Sequence, residues 1–261
     1  GRLIKTDDEQ PIVAQIWGGE PQDMENLAKH CAKLGFDGID INMGCPAKSA
    51  IRSGGSALIR KPDIAVAAIA AAKTAGLPVS VKTRLGYTSV DEWREWLTIL
   101  LQQDIAALTI HLRTKREMSK VPAHHELIPV IKQLRDEIAP QTLLIINGDI
   151  ADRQHGLELV EEFGVDGIMI GRGVFQNPFC FNERTSRPTK QELLDLLNLH
   201  LDLFDKWQPE LGRPFETLKR FFKIYIRDFD GASDLRIALM LTTSTREARK
   251  IIANHMRSVT F

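Results

Sequence analysis

Cysteine is scarce: the chain holds three, Cys31, Cys45 and Cys180. Three irregularly spaced thiols make neither a disulfide framework nor a four-ligand zinc site, so no metal is expected and the composition fits a reducing compartment. Long apolar runs are missing too. No stretch of about 18 uncharged apolar residues occurs, and the N-terminal Gly1-Arg2-Leu3-Ile4-Lys5 has no apolar signal core, so neither a membrane span nor secretion is indicated and the cytoplasm is expected. Neither sign of charge dominates, with 34 Lys and Arg against 34 Asp and Glu. That average neither favours nor excludes a polyanionic partner, which would need a local basic patch. What is present, 43% hydrophobic and 26% charged residues in 261, suits a globular protein with a large core. No obligate protein partner is indicated.

Short β-branched or apolar runs alternate with stretches of helical period, the pattern of βα units around a parallel sheet. Strands are predicted in Pro11 to Trp17, Gly38 to Met43, Pro78 to Leu85, Ala107 to Leu112, Leu143 to Ile150 and Gly167 to Gly171. Helices are predicted near Pro21 to Leu34, Ile64 to Ala75, Val90 to Gln103, His125 to Ile138 and Arg153 to Phe163. The alternation stops after Asn177-Pro178, and the polar Thr185-Ser186-Arg187-Pro188-Thr189 stretch introduces a helical remainder. Thr189 and Glu192 form a capping box for a helix from Lys190 to about Trp207. The expected organisation is an α/β domain over residues 1–183 and an all-helical domain over 184–261. Periodicity alone leaves both a barrel and an open doubly wound sheet possible. Six strands are two fewer than a TIM-type (β/α)8 barrel has, and the expectation is such a barrel without its first two βα units.

The chemistry concentrates at strand C-termini. Asp40-Ile41-Asn42-Met43-Gly44-Cys45-Pro46 ends the second strand and leads to a loop with Gly54-Gly55-Ser56. A thiol there, beside a permissive glycine and a rigid proline, can be aimed into a barrel mouth as an acid or nucleophile. Cys31 and Cys180 read as buried free thiols. Lys82-Thr83-Arg84, His111-Leu112-Arg113, Asn147-Gly148-Asp149 and Gly171-Arg172-Gly173 end four further strands. Together they describe an electropositive mouth with glycine N–H groups and an arginine suited to a phosphorylated anionic cofactor.

The ordered motifs Asn-x-Gly-Cys-Pro, Lys-x-Arg-x-Gly, His-x-Arg-Thr, Asn-Gly-Asp-Ile and Met-Ile-Gly-Arg-Gly resemble the tRNA-dihydrouridine synthases, from Pro11 to about Ser244. The resemblance implies an FMN-binding TIM barrel followed by a helical tRNA-binding domain. It implies that Gln15 and Lys82 contact the flavin ring with His111 beside it. Asn147, Asp149, Gly171 and Arg172 would hold the ribityl phosphate arm. Cys45 would be the general acid, and Asn42 and Arg84 would contact the target uracil. The implied reaction takes hydride from reduced FMN to C6 of a tRNA uridine and a proton from Cys45 to C5, with NADPH recharging the flavin. The family's opening apolar strand has no counterpart here, and His124-His125 replace its usual acidic-aromatic pair, so neither histidine is given a catalytic role.

Between Arg213 and Arg227 the basic residues Arg213, Lys219, Arg220, Lys223 and Arg227 outnumber Glu216. Lys219, Lys223 and Arg227 recur at helical spacing, which predicts one basic face over inward Leu218, Phe221, Phe222 and Tyr225. After a synthase-like barrel, that face reads as a phosphate-backbone contact. Three rivals remain: an FMN-dependent dehydrogenase of free pyrimidines or dihydroorotate, a Schiff-base aldolase acting through Lys82, and a tRNA-binding protein with little catalysis.

Overall fold

A computed structural model describes residues 3–183 and 186–258. Gly1 and Arg2 of the N-terminal segment and Thr185 of the polar stretch lie outside the described residues. The chain divides into two compact units, one running to Gly171 and the other from Arg172 onward.

The first unit alternates β1 (Val13–Ile16), α1 (Pro21–Lys33), β2 (Gly38–Asn42), α2 (Lys48–Ser53), α3 (Pro62–Lys73), β3 (Val79–Arg84), α4 (Trp93–Leu101), β4 (Ala107–His111), α5 (Ile128–Ile138), β5 (Leu143–Asn147), α6 (Arg153–Phe163) and β6 (Gly167–Met169). All neighbouring strands are parallel, and the order is β1-β2-β3-β4-β5-β6. This order settles what periodicity left open. A doubly wound sheet reverses its strand order at a switch point, whereas a barrel wall adds each strand beside the last.

The register sorts each strand into two faces. Ile41, Val81, Leu108 and Leu144 form one row and Thr83, Ile110, Ile146 and Ile168 the next. This is the helix side: Trp96 of α4 donates Nε1–H to Thr83 Oγ1 at 2.8 Å, and Gly156 of α6 lies against Ile168. Ile41, Val81, Leu108, Ile110, Leu144 and Ile146 are completely buried there, each side chain contributing about 1.5–3 kcal/mol. The opposite face is polar: Gln15, Asp40 and Ser80 share one row, Asn42, Lys82 and Thr109 the next, and Arg84, His111 and Asn147 the last. Polar residues at period two on otherwise apolar parallel strands mark a lined interior.

The elements end earlier than the apolar runs suggest. β5 stops at Asn147 because Gly148 (φ 124°) and Asp149 (φ 53°) turn the chain out of the sheet. The glycine segment after Cys45 is partly helical: α2 is followed by a 3₁₀ turn over Gly55–Arg60.

The second unit holds α7 (Gly173–Gln176), α8 (Lys190–Leu211), α9 (Glu216–Lys219), α10 (Phe222–Tyr225), α11 (Ala232–Leu241) and α12 (Thr245–Ser258). The Thr189/Glu192 capping box is present, and α8 runs through Pro209 to a left-handed cap at Gly212 rather than stopping near Trp207. The single basic helix expected around Lys219 to Arg227 is corrected: α9 and α10 are separate single turns, and Arg227 belongs to neither. Bonds from Phe221 N–H to Leu218 and from Ile224 N–H to Phe221, three residues apart, tighten this run, so spacing by four no longer defines one face. The cause is apolar content. Phe215, Leu218, Phe222, Ile224, Tyr225 and Ile226 all enter one core with Leu194, Leu197 and Leu201, more than a single α-helical stripe can present.

Candidate active site

The polar rows converge at the C-terminal ends of the strands. Asn42 caps the Cys45 loop: its Oδ1 accepts from Gly44 N–H at 3.1 Å and from Cys45 N–H at 2.9 Å. Gln15 Oε1 accepts from Asn42 Nδ2 at 3.0 Å, and Gln15 Nε2 donates to Asp40 at 2.7 Å. Cys45 is half-buried, and its carbonyl accepts from Ser56 N–H at 3.1 Å. Gly55 (φ 57°) is required beneath this loop, since a Cβ there would stand 2.9 Å from that same Cys45 carbonyl. Cys31 and Cys180 are buried, as the sequence reading has them.

Lys82 and Arg84 follow on β3. Lys82 Nζ donates to Asn147 Oδ1 at 3.3 Å, and Asn147 Nδ2 donates to the Met169 carbonyl at 2.7 Å, which fixes the amide's orientation. Burial first, then Arg84, lowers the Lys82 ammonium below its ordinary pKa, with Asp40 and Cys45 opposing. Arg84 is more constrained than a surface recognition residue. Its Nε donates to Gly44 O at 2.8 Å and its Nη1 to the carbonyls of Thr114 and Met118, each at 3.1 Å. It thereby ties the Cys45 loop to the loop after β4, and only Nη2 is left to meet a ligand. Burial, then Arg113, brings its pKa down to about 10, with Cys45 and Glu117 opposing.

His111 ends β4 with Nε2 3.1 Å from Arg113 Nη1. A guanidinium only donates, so Nε2 accepts and the imidazole is the neutral tautomer carrying its proton on Nδ1. Burial, followed by Arg84, Lys82 and Arg113, lowers the His111 pKa to about 3, with Asp149 opposing. Gly148 leaves room for the ring, for a Cβ there would sit 3.1 Å from His111 Cδ2. We expect the His111 imidazole resonances to show no titration between pH 5 and 9 in a histidine-labelled NMR series. A midpoint near the ordinary 6.5 would refute this neutral assignment. Between about pH 6.5 and 3 the unfolded chain takes a proton that the folded chain refuses, so this residue's contribution falls as pH falls through that window.

Asp149 is paired with Arg113 and accepts Ala123 N–H at 3.0 Å, so its carboxylate organises the loop. Gly171 follows β6 close to Asn147. Arg172 occupies the position before α7, in the other unit. His124 lies between Glu117 and Glu126, at 2.9 and 2.8 Å, and His125 Nε2 is 2.9 Å from Gly148 O, so both histidines brace loops.

The first unit thus brings together Gln15, Asn42, Cys45, Lys82, Arg84, His111, Asn147, Asp149 and Gly171. Sequence reasoning gave Asp40 and Ser80 no role, although period two places them on the same face as Asn42 and Lys82. It quoted Arg113 without a role; only its burial, at 2% exposure, reveals one. In the helical unit, Lys219, Arg220, Lys223 and Arg236 line a pocket of about 290 Å³ with Phe222 and Met240. Arg227 is instead engaged with Asp228 and Gln176. Among the described residues no helix is long and apolar enough to cross a membrane, and no group of three or more His, Cys, Asp or Glu could hold a metal ion.

A model of the dihydrouridine synthase (Dus) family matches residues 1–256. A probable tRNA-dihydrouridine synthase 2 of Bacillus subtilis (strain 168) is 60% identical over 258 residues, covering 98% of this chain and 79% of the relative. Probable tRNA-dihydrouridine synthases of Staphylococcus aureus (strain COL) and Staphylococcus epidermidis (strain ATCC 12228) are each 57% identical over 253 residues. They cover 97% of this chain and 77% and 78% of the relatives.

Proposed function

The chain belongs to the dihydrouridine synthase family, and from that premise we propose that it reduces uridines of tRNA to 5,6-dihydrouridine, with FMN as bound cofactor, NADPH as reductant and Cys45 as proton donor. The observation that carries the reading is the meeting, at one end of one sheet, of a half-buried thiol with Lys82, Arg84 and the neutral donors Gln15, Asn42 and His111.

The residues present fit a phosphorylated flavin. Burial first, and then the neighbouring guanidinium, Arg84 for Lys82 and Arg113 for Arg84, depresses the proton affinity of Lys82 and Arg84, and a polyanion relieves the repulsive part. Gln15, Lys82 and the Nδ1–H of His111 would hold the ring. Asn147 and Gly171 would hold the ribityl phosphate arm, with Asp149 fixing the loop through Arg113. When bound, the reduced flavin supplies hydride for C6 of the uracil.

The protein supplies position and the proton. Asn42 and Arg84 hold the Cys45 loop by its N–H groups and by the Gly44 carbonyl, so the thiol is placed before the substrate arrives. Arg84 Nη2 and the second Nδ2 hydrogen of Asn42 are donors suited to the uracil oxygens. Cys45 delivers its proton to C5, and hydride plus proton complete the two-electron reduction of C5=C6. Exposing a base in folded tRNA costs a few kcal/mol of unstacking, which contacts to the RNA backbone must offset. The pocket of Lys219, Arg220, Lys223 and Arg236 is suited to those contacts.

The test is direct. The purified protein should show a flavin spectrum that bleaches anaerobically with NADPH. It should restore dihydrouridine to tRNA from a synthase-deficient strain, read by mass spectrometry, and leave free uridine and uracil unreduced. Turnover of the free base at a comparable rate would favour a pyrimidine dehydrogenase, and absence of bound flavin would remove the cofactor assignment.

A further inference from the structure

We infer that Asp40, a carboxylate facing the interior with no part in the chemistry above, is a positioning residue that sets the Cys45 loop through a one-way chain of amides. The inference rests on the proposed function only in taking Cys45 as the proton donor. One Asp40 oxygen accepts Gln15 Nε2 at 2.7 Å and the other accepts Ser80 Oγ at 2.8 Å. Gln15 Oε1 accepts Asn42 Nδ2 at 3.0 Å, and Asn42 Oδ1 accepts the Gly44 and Cys45 N–H groups at 3.1 and 2.9 Å.

The direction of this chain is determined from both ends. An ionised carboxylate only accepts, and a backbone N–H only donates. Gln15 must therefore turn its NH₂ to Asp40 and its oxygen to Asn42. Asn42 must turn its NH₂ to Gln15 and its oxygen to the loop. With either amide reversed, two donors or two acceptors meet. Each amide keeps one further N–H to aim at a carbonyl oxygen or ring nitrogen; Asn42 Oδ1 already accepts two bonds and so offers a ligand donors only, while Gln15 Oε1, which accepts one, keeps a second lone pair. Register supplies the geometry: Gln15, Asp40 and Ser80 occupy one row across β1, β2 and β3, one row below Asn42.

In Asp40→Asn, the new amide can still show its oxygen to Gln15, because the loop N–H groups orient Asn42 and Gln15 from the other end and the Ser80 hydroxyl can accept as well as donate, so the chain keeps its direction. In Ser80→Ala, Asp40 remains acceptor-only, and the chain again keeps its direction. Only Asp40→Leu, which keeps the branched shape, takes the acceptor away from Gln15 and leaves the chain held at the loop end alone. We therefore expect hydrogen exchange at the Gly44 and Cys45 amides to stay within about twofold of wild type in Asp40→Asn and in Ser80→Ala. In Asp40→Leu it should rise roughly tenfold, the factor carried by one hydrogen bond. In Asp40→Leu kcat on tRNA should fall in step. Unchanged exchange in Asp40→Leu, or an Asp40→Asn variant already equal to it, would overturn the inference, since a packing role predicts that the leucine of similar shape is tolerated. The exchange measurement needs no substrate. Predicted exchange in a protein that makes no dihydrouridine would leave the chain standing and count against the proposed function instead.

Discussion

Replacing Cys45 with alanine is expected to lower dihydrouridine formation by about 10²–10⁴-fold, the range for loss of a positioned acid, while flavin content and flavin reduction by NADPH stay near wild type. The separation follows from where the thiol sits. The loop is held by its main chain, through Gly44 N–H, Gly44 O and Cys45 N–H, and none of these depends on the side chain. The flavin contacts assigned to Lys82, Gln15 and Asn147 lie on strands, not on this loop. Single-turnover kinetics with pre-reduced enzyme measures the proton-coupled step directly. Near-normal single-turnover rates would remove Cys45 from the reaction. Cys31→Ala serves as the control: its thiol is completely buried in α1, burial raises its pKa, and its loss should leave turnover unchanged.

The second large effect concerns RNA affinity. Changing Lys219, Arg220 and Lys223 together to alanine should weaken tRNA binding roughly 10²–10³-fold at low salt and flatten the log–log salt dependence by about two to three units. Each phosphate contact releases close to one condensed counterion. Arg220 and Lys223 are exposed, and the half-exposed Lys219 donates its Nζ to the Met240 carbonyl at 3.0 Å, a solvent-exposed bond whose loss should cost no more than about 1 kcal/mol of stability. Arg236 is left in place because its Nη1 donates to the Ile226 carbonyl at 2.6 Å, which ties α11 to the core. Arg227→Ala tests the spacing argument against the pocket. If Arg227 faces phosphate, it should alter the salt slope by about one unit; if its bonds to Asp228 and Gln176 define its role, the slope should hold. An unchanged slope in the triple variant would place RNA binding elsewhere.

The sequence by itself determined the parallel βα alternation, the capped helix from Lys190 and the motifs at the strand ends. Each of these is local: period two, an i to i+3 capping box, and short ordered strings require only neighbours along the chain. Arg84 shows where locality stops. The sequence places it at a strand end, free to meet substrate, but its three carbonyl partners lie 30 to 40 residues away, on the Cys45 loop and the loop after β4. Arg113 is the same case, for only packing decides that a motif arginine is buried against Asp149 and fixes the tautomer of His111. Lys219, Lys223 and Arg227 fail differently. Their helical spacing is sound arithmetic, but the burial demand of the interleaved Phe and Ile residues breaks the helix and seats Arg220 and Arg236 beside the two lysines. Strand order was likewise a tertiary decision, since the same run of βα units can close in sequence or reverse at a switch point. The residue types that could do the chemistry were therefore written in the chain. Which of them face one another, and which are held in place by distant carbonyls and carboxylates, arose only when the strands aligned in register.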